Sequence, residues 1–563
     1  MSQLIECVPN ISEGRDLEKI KLVTDVIEDY EGVKLLDVDP GNATNRTVIT
    51  FVGEPEQVID AAFLLVKKAA EVIDMAKQTG EHPRMGATDV CPLVPIGNIS
   101  LEELVPYAHK LGERIGLELG IPGYYYEVAA KTPERSNLAV CRSGEYEGLE
   151  KLSEPEWQPD FGPAEFNASV KKSGATAVGV RDFLVAYNIN LNTTSTRRAN
   201  SIAFDIREAG RVKREGNPIT GKIVNGIDGN PVRIPGKLKA VKGIGWYIEE
   251  YGIAQISYNL TNIGITPVHV AFDETCKSAD SKGIRVTGSE LVGLIPLQAM
   301  LDAADYFLKK QERSLGIAEA EKVKIAVKSL GLDDLSTFNP EEKIIEYMLE
   351  GKGKPRLLQM SLAEFASETA SESPAPGGGS ISAYIGALGV SLGTMVANLS
   401  SHKRGWDDKW EEYSAWAVKG QEYQALLMEL VDEDTQAFNK IMEAYSLPKN
   451  SEEDKAARKE AIQAATRHAI EVPLTIMQTA LESMEVMKAM AESGLSASVS
   501  DAGVGALCAR SSVIGAYLNV KINTVDLEDK QYVTRTLEKA NEIRKAAEKY
   551  EKDILSNVEE KLS

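Results

Sequence analysis

Cysteine is scarce in this chain and none of it is arranged for metal or disulfide work. Five residues, Cys7, Cys91, Cys141, Cys276 and Cys508, make an odd set with no C-x-x-C pair. That argues against a zinc site and for reduced thiols in a cytoplasmic protein. Histidine is as rare, with five residues (His82, His109, His269, His402, His468). Positive charge is outweighed: 63 Lys and Arg against 84 Asp and Glu give a formal net charge of -21. A general nucleic-acid face is therefore not expected, since phosphate neutralisation needs a basic surface. An anionic small ligand is not excluded, because local Lys and Arg clusters suffice to hold one. The opening MSQLIECVPNISEGRD has no basic stretch followed by an apolar one, so no secretory leader is expected. Residues 374–401 carry no charge at all, but Ser380, Ser382, Ser391, Thr394, Asn398, Ser400 and several glycines punctuate them. A bilayer-spanning helix seldom concentrates such residues, so a tightly packed core helix is expected, with no membrane partner. The glycine-rich APGGGS at 375–380 lacks a Gly-Lys-Ser/Thr ending and is not a nucleotide loop of the Walker type.

What is present is a soluble composition, 43% hydrophobic and 26% charged over 563 residues, too long for a single core. The first third alternates strand and helix signals. LIECVPN (4–10), GVKLLDVD (32–39), NRTVITFVG (45–53) and PGYYYE (122–127) read as strands, and 15–29, 55–76 and 100–119 as amphipathic helices. The run Val90 to Ile96, broken by Pro92 and Pro95, reads as an edge or terminal strand with bulges. A second α/β unit follows: 175–191 as one long strand region, 196–210 as helix, GIAQISYNLTN (252–262) as a half-buried strand, 266–283 and 295–310 as helices. Between these lies the clearest basic island, residues 207–242, to be read either as a solvated hairpin or as a landing site for carboxylates. Strand signals stop near residue 316, and from 357 onward every stretch (380–400, 407–446, 452–492, 500–523, 529–562) has helical periodicity. The fold class is thus two α/β subdomains, each a mixed sheet plus helices, followed by an all-α helical bundle.

Two sites emerge. In EHPRMGATDVCPLVPI (81–96), His82 precedes Pro83 and Arg84 in the connection entering a strand, where reactive side chains on a rigid scaffold tend to lie. It is either a surface histidine or an acid–base group. Asp39 ends another strand, and a carboxylate bonded to one imidazole nitrogen leaves the other free for proton transfer. Arg84 suits a substrate carboxylate. Tyr124 and Tyr126 share a strand face suited to an aromatic heterocycle.

The second site is sharper. In the helix 421–446, Leu427, Leu430, Val431, Ala437, Phe438, Ile441 and Tyr445 form an apolar stripe. Asp434 falls within it, whereas Asp432 points roughly 200° away around the helix. An apolar setting raises a carboxylate pKa and makes it an acid–base group near neutrality. The plainer reading is an aspartate hydrogen-bonded in the bundle. The glycines of APGGGS leave helix-start N–H groups open to a ligand.

CVPNISEGRD, LLDVDPG, EHPRMGATDVCP, GIGWYIEEYGIAQIS, SELVGLIPLQAMLDAA, SPAPGGGS and LVDEDTQAF followed by SLPK together resemble the formimidoyltransferase-cyclodeaminase family, over nearly the whole chain and in that order. The resemblance implies a transferase of two α/β subdomains, 1–181 and 182–350, with folate bound between them. A linker, 351–356, and an all-helical cyclodeaminase, 357–563, that works as a dimer would follow. It implies His82, Asp39, Arg84 and Asp434 as catalytic residues. It implies folate contacts at Tyr126, Pro163, Phe166, Ser169 and Gly174 in the first half, and at Gly377, Gly378, Gly379 and Ser380 in the second. Here the folate-binding segment after DFGP, Pro163 to Lys172, is a few residues longer than the family pattern, and the insert at 215–236 is also longer than in animal members. The implied substrates are N-formimidoyl-L-glutamate and tetrahydrofolate as co-substrate, possibly polyglutamylated, with no metal and no nucleotide. The expected assembly is a homo-oligomer. Two other readings of the bundle stand beside this one, a methenyltetrahydrofolate cyclohydrolase and a silent oligomerisation scaffold.

Overall fold

The computed structural model describes residues 3–41, 45–80, 84–217, 220–226, 229–350, 357–373 and 375–563. The chain divides into two compact units, 1–300 with 330–351, and 301–329 with 352–563.

The first unit opens with a seven-stranded mixed sheet. Its strands are β1 (Leu4–Cys7), β2 (Asn10–Ile11), β3 (Val33–Gly41), β4 (Arg46–Gly53), β5 (Thr88–Gly97), β6 (Gly123–Glu127) and β7 (Thr176–Val180). β1 and β2 lie end to end between β4 and β5, β3 pairs with β4, and β7 and β6 continue from β5 in parallel. Three helices, α1 (Leu17–Glu28), α2 (Pro55–Val72) and α3 (Leu101–Arg114), cover one face. Their apolar faces meet Ile5, Cys7, Ile11, Ile49, Phe51, Cys91, Leu93, Val178 and Val180 there. α3 starts on a reciprocal Ser100–Glu103 capping box. Alternation then sends Glu6, Asn10, Val90, Tyr124 and Tyr126 to the opposite face.

One expectation fails here. β5 is an interior strand, with β1 and β2 on one side and β7 on the other. Its prolines lose donors but keep acceptors, and Pro92 O still receives the Val8 N–H at 3.2 Å. The expected bulging is present: the register shifts between Leu4 and Ile5 opposite Pro95 and Gly97, and again between Asn10 and Ile11 opposite Val90 and Thr88.

The apolar run 175–191 is likewise two strands in two sheets. β7 ends at Val180, and β8 (Val185–Leu191) begins the second sheet. With β11 (Val241–Ile248), β12 (Ile253–Leu260) and β13 (Val286–Val292), β8 forms an antiparallel sheet in the order β11-β12-β8-β13. The intervening β9 (Arg211–Val212) and β10 (Arg233–Ile234) pair only with each other. Helix α4 (Thr196–Ile206) lies directly on β11: a Cβ on Gly245 would sit 2.4 Å from Asn200 N. The Asn200 side chain bonds both the N–H and C=O of Gly245. Helix α5 (Val268–Asp280) joins the same layer through Thr275, bonded to the buried Tyr258 hydroxyl at 3.0 Å. The opposite face carries a polar cluster in which Glu290 accepts from Asn188, Gln255 and Tyr251. In the basic island Arg211 pairs with Asp205, Lys237 with Glu274 and Lys239 with Glu208, as a solvated hairpin would.

The second unit is a bundle of five long helices: α6 (Gly378–Ser401), α7 (Trp410–Ser446), α8 (Glu452–Ser493), α9 (Val499–Asn523) and α10 (Lys530–Leu562). α6 is long and apolar enough to cross a membrane, but it is largely buried among α7, α8 and α9. Its small residues explain why: Gly386, Gly389 and Gly393 meet Ser512, Gly505 and Met487 at contact distance. Residues 301–329 join this unit, with Asn398 Nδ2 donating to Gly316 O at 2.7 Å and Ser414 Oγ accepting from Leu315 N at 3.0 Å. The apolar stripe expected on α7 is buried at Leu427, Leu430, Val431 and Ala437, but Phe438 and Tyr445 are exposed.

Candidate active sites

In the first unit a cleft of about 880 Å³ opens between the two sheets, lined by Asn10 and Val90 on one side and Lys242, Thr261 and Asn262 on the other. Four cations, Arg46, Arg142, Arg181 and Lys242, line it, against the three carboxylates Glu127, Glu145 and Asp182. Asp89 organises two of its walls. The register skips it between Thr88 and Val90 opposite β2. One of its oxygens accepts Met85 N at 2.9 Å and the other pairs with Arg142. Burial pulls the Arg46 pKa down and the nearby Asp89 opposes this; a guanidinium stays cationic regardless. Glu127, on the cleft wall, is held above the usual carboxylate range by burial against the pull of Arg181 and Lys242. Beside Arg181, Glu6 is 3% exposed, and burial pushes its pKa up to about 7.

Of the residues expected here, His82 lies outside the described residues. Asp39 is exposed near the end of β3, opposite Val48, which in turn lies opposite Asn10. Directly paired residues share a face, so Asp39 is on the cleft face, about 10 Å from Asn10 at two strand spacings. Arg84 is occupied by protein groups. Its Nε donates to Gln78 Oε1 at 2.9 Å and its Nη2 to Glu147 Oε1 at 2.8 Å, with Glu145 also in reach. The cleft cations are therefore others. Tyr126 lines the cleft, whereas Tyr124 is turned away, its hydroxyl donating to Trp157 O at 2.6 Å.

Pro163, Phe166, Ser169 and Gly174 do not line it. Phe166 packs edge-on to Tyr146, and Ser169 is exposed on a short helix capped by Asn167. Gly174, at φ +68°, is pressed against Met85: a Cβ there would lie 2.3 Å from Met85 O. A Cβ on Gly86 would meet Ala175 O at 2.2 Å. This backbone contact fixes the segment that follows His82 and gives the RMG of the motif a physical reason.

In the second unit, Asp434 lies at the start of α6. Its Oδ2 accepts from Ser380 N at 2.9 Å and from Ser380 Oγ at 3.2 Å, and the Ser380 hydroxyl also meets Thr435 Oγ1 at 3.3 Å. Gly379 has no room for a side chain, since a Cβ would lie 2.0 Å from Asp434 Oδ1. Burial raises the Asp434 pKa, and the two Ser380 bonds oppose it. Beside the carboxylate is a cavity of about 200 Å³ lined by Gly377, Gly378, Thr435, Phe438, Asn519 and Asn523 among others. Gly379 and Ser380 meet Asp434 without lining the cavity, and of the glycine-rich motif Ala375, Gly377 and Gly378 line it. Asp432 is on the other side of α7, accepting from Leu357 N at 2.8 Å. Asp434 is thus hydrogen-bonded within the bundle, as the plainer reading had it, and half-buried on the wall of a cavity.

Arg46, Asp89, Arg142, Arg181, Asn519 and Asn523 were not singled out from sequence. Asp89 carried a signal, a carboxylate inside the apolar run ATDVCPLV; the others sit in segments whose neighbours are set only by tertiary pairing.

A cationic cleft between two α/β sheets and a carboxylate-centred cavity in a helical bundle define a protein with two chemically distinct sites on one chain. Family models agree in order and extent. Residues 4–181 match the N-terminal subdomain of the formiminotransferase domain, 186–350 the formiminotransferase domain, and 361–542 formiminotransferase-cyclodeaminase. The chain is 43% identical to a formimidoyltransferase-cyclodeaminase of Gallus gallus, over 100% of both chains. Over 54% of its length it is 42% identical to a glutamate formimidoyltransferase of Thermoplasma acidophilum, covering 92% of that protein. Over 36% of its length it is 32% identical to a methenyltetrahydrofolate cyclohydrolase of Methylorubrum extorquens, covering 98% of that protein. The chain belongs to the formimidoyltransferase-cyclodeaminase family.

Proposed function

We propose that this chain is a bifunctional folate enzyme of histidine and glutamate degradation. The first half moves the formimidoyl group from N-formimidoyl-L-glutamate to N5 of tetrahydrofolate. The second half cyclises 5-formimidoyltetrahydrofolate to 5,10-methenyltetrahydrofolate and releases ammonia. The observation that carries this reading is the coexistence of the Arg46–Arg142–Arg181–Lys242 cleft, suited to a polyanionic folate and a glutamate, with the Asp434 cavity.

In the transferase, N5 attacks the amidine carbon, and the tetrahedral intermediate collapses with loss of the glutamate nitrogen. His82, oriented by Asp39, takes the N5 proton and returns it to the departing nitrogen. The cleft cations hold the carboxylates, with Tyr126 beside the ring system. In the cyclodeaminase, N10 attacks the same carbon, and Asp434 carries the N10 proton to the nitrogen that leaves as ammonia. The transferred carbon stays at the formate oxidation level throughout, so tetrahydrofolate serves as co-substrate and neither step calls for a metal or a nucleotide.

The five cysteines, none of them in a disulfide, support a cytoplasmic setting. Exposed Leu388, Met395 and Leu399 of α6 and Leu518 and Ile522 of α9 support pairing of the helical part with a second copy of the chain.

The test is one mixing experiment with purified protein, tetrahydrofolate and N-formimidoyl-L-glutamate, following ammonia and the near-ultraviolet absorbance of methenyl-folate together. Matched appearance of both is expected, abolished by His82→Ala but restored in that variant when 5-formimidoyltetrahydrofolate is supplied. Glutamate released without ammonia sinks the cyclodeaminase assignment. Hydrolysis of added methenyl-folate in its place would favour the cyclohydrolase reading that the Methylorubrum extorquens relative suggests.

A further inference from the structure

The geometry points to Asn519 and Asn523 as substrate-binding residues of the cyclodeaminase, whose side-chain carbonyls accept the N–H groups of the formimidoyl amidinium and so select it over groups without those donors. This rests on the cyclodeaminase reading above.

Both asparagines lie on α9, one helical turn apart, and both line the Asp434 cavity. Each has its amide nitrogen committed to the bundle: Asn519 Nδ2 donates to Gly515 O at 2.9 Å, and Asn523 Nδ2 donates to Ala469 O at 2.6 Å. Those bonds fix the amide planes and leave each carbonyl oxygen without a hydrogen bond among the described residues. Asn519 reaches to the helix start, where a Cβ on Gly378 would lie 3.1 Å from its Nδ2. The other polar side chains of the lining are Asp434 and Thr435, with no lysine or arginine among them, and the helix-start backbone at Gly377 and Gly378 borders the same space. The cavity therefore carries one carboxylate and two amide carbonyls beside the start of α6, and at about 200 Å³ it has room for a small cationic group and part of a ring system.

The protonated formimidoyl group, N5–CH=NH2+, is planar, cationic and rich in donors, so it matches this lining. The methenyl cation carries the same charge but has no N–H, and a formyl group places an acceptor where the amidine has a donor. During the reaction the N10–C bond forms and the C–NH2 bond breaks. One proton passes from N10 through Asp434 to the leaving nitrogen, and no electrons are exchanged with any other species. The asparagine carbonyls hold the nitrogen that departs, first as amidinium and then as ammonia. Water leaving or entering in a hydrolase would make no comparable demand for two fixed acceptors.

The experiment measures ammonia release from 5-formimidoyltetrahydrofolate by full-length Asn519→Leu, Asn523→Leu and Asn519→Asp proteins, with 5-formyltetrahydrofolate as competing inhibitor. The Leu variants remove the acceptor at similar volume and are expected to lower kcat/KM about ten- to hundredfold, the range for hydrogen bonds to a charged group. They are also expected to narrow the preference for substrate over the formyl analogue. Asn519→Asp keeps an acceptor but loses the donor to Gly515 O. It should retain most activity, whereas a merely structural role for Asn519 would make it as poor as the Leu variant. Helical circular dichroism and the thermal midpoint of the same preparations report on the folding of the bundle that carries both residues. Wild-type ammonia release by both Leu variants, or an unchanged preference over the formyl analogue, overturns this assignment alone. A wild-type protein that releases no ammonia overturns the cyclodeaminase reading and this assignment with it.

Discussion

Asp89 joins the segment after His82 to the cleft, holding the backbone N–H of Met85 at 2.9 Å and the guanidinium of the cleft-lining Arg142. The first contact places the segment that follows His82; the second places a cation. A residue buried to 1% exposure therefore sets the shape and the charge of the cleft together.

Asp89→Asn should leave Arg142 charged, mostly buried and unpaired, at a cost of about 3–5 kcal/mol to the first unit. Arg142→Met on that background should recover part of the loss, because the uncompensated charge is gone. Urea unfolding of the two singles and the double measures the coupling. Additive losses would show that the pair is energetically inert.

Asp434→Asn keeps an oxygen that can accept from Ser380 N, so the helix cap survives while proton transfer does not. Ammonia release should fall by about 10²–10⁴-fold with the thermal midpoint nearly unchanged. Asp434→Ala should add the loss of a cap, about 0.5–2 kcal/mol. Comparable activity in the wild type and the Asn variant would remove Asp434 from the chemistry.

Gly379→Ala should displace the Asp434 carboxylate, because the new Cβ would lie 2.0 Å from its Oδ1. An overpacking cost of about 1–3 kcal/mol is expected in the bundle. Ammonia release should drop sharply while formimidoyl transfer continues at the wild-type rate. Equal effects on both reactions would mean global misfolding rather than a local shift.

Glu6 gives a pH signature. Its native pKa, raised to about 7 from 4.5 by burial, means that the folded state holds its proton more tightly than the unfolded chain. Its favourable contribution is complete below pH 4.5 and is lost as pH rises through 7, on the order of 3 kcal/mol. Glu6→Gln should therefore be more stable than wild type at pH 8, with the gap closing towards pH 5. Denaturant midpoints across that range test it; a gap independent of pH would rule the titration out.

Much of this architecture was legible in the sequence because its periodicities are strong. Of the stripe Val533, Leu537, Ala540, Ile543, Ala547, Tyr550, Ile554 and Val558 that the periodicity marks on α10, five residues are buried, and Val533, Leu537 and Tyr550 pack partly buried against the same core. Helical angles alone separated Asp434, at the cavity, from Asp432, which holds Leu357 N. What stayed hidden depends on pairing. Pro92 and Pro95 suggested an edge strand, yet β5 is interior, because a proline costs a donor only where a neighbour needs one. The cleft cations Arg46, Arg142 and Arg181 come from segments far apart in the chain, and no local pattern brings them together. The half of the α7 stripe at Phe438 and Tyr445 is exposed because periodicity tells which residues share a face, not what covers it.

Gly86 and Gly174 touch backbone to backbone, with no side chain between them. The lock on the segment after His82 therefore has no chemistry that a nearby substitution could improve or dilute. Residues 163–172 lead into this joint, and their last turn is held besides by Met75 N on Lys172 O at 2.9 Å and by the buried Val170. A family built on such a joint would tolerate lengthening of the loop leading to it, as in this chain, and would not tolerate even one added methyl group at the joint itself.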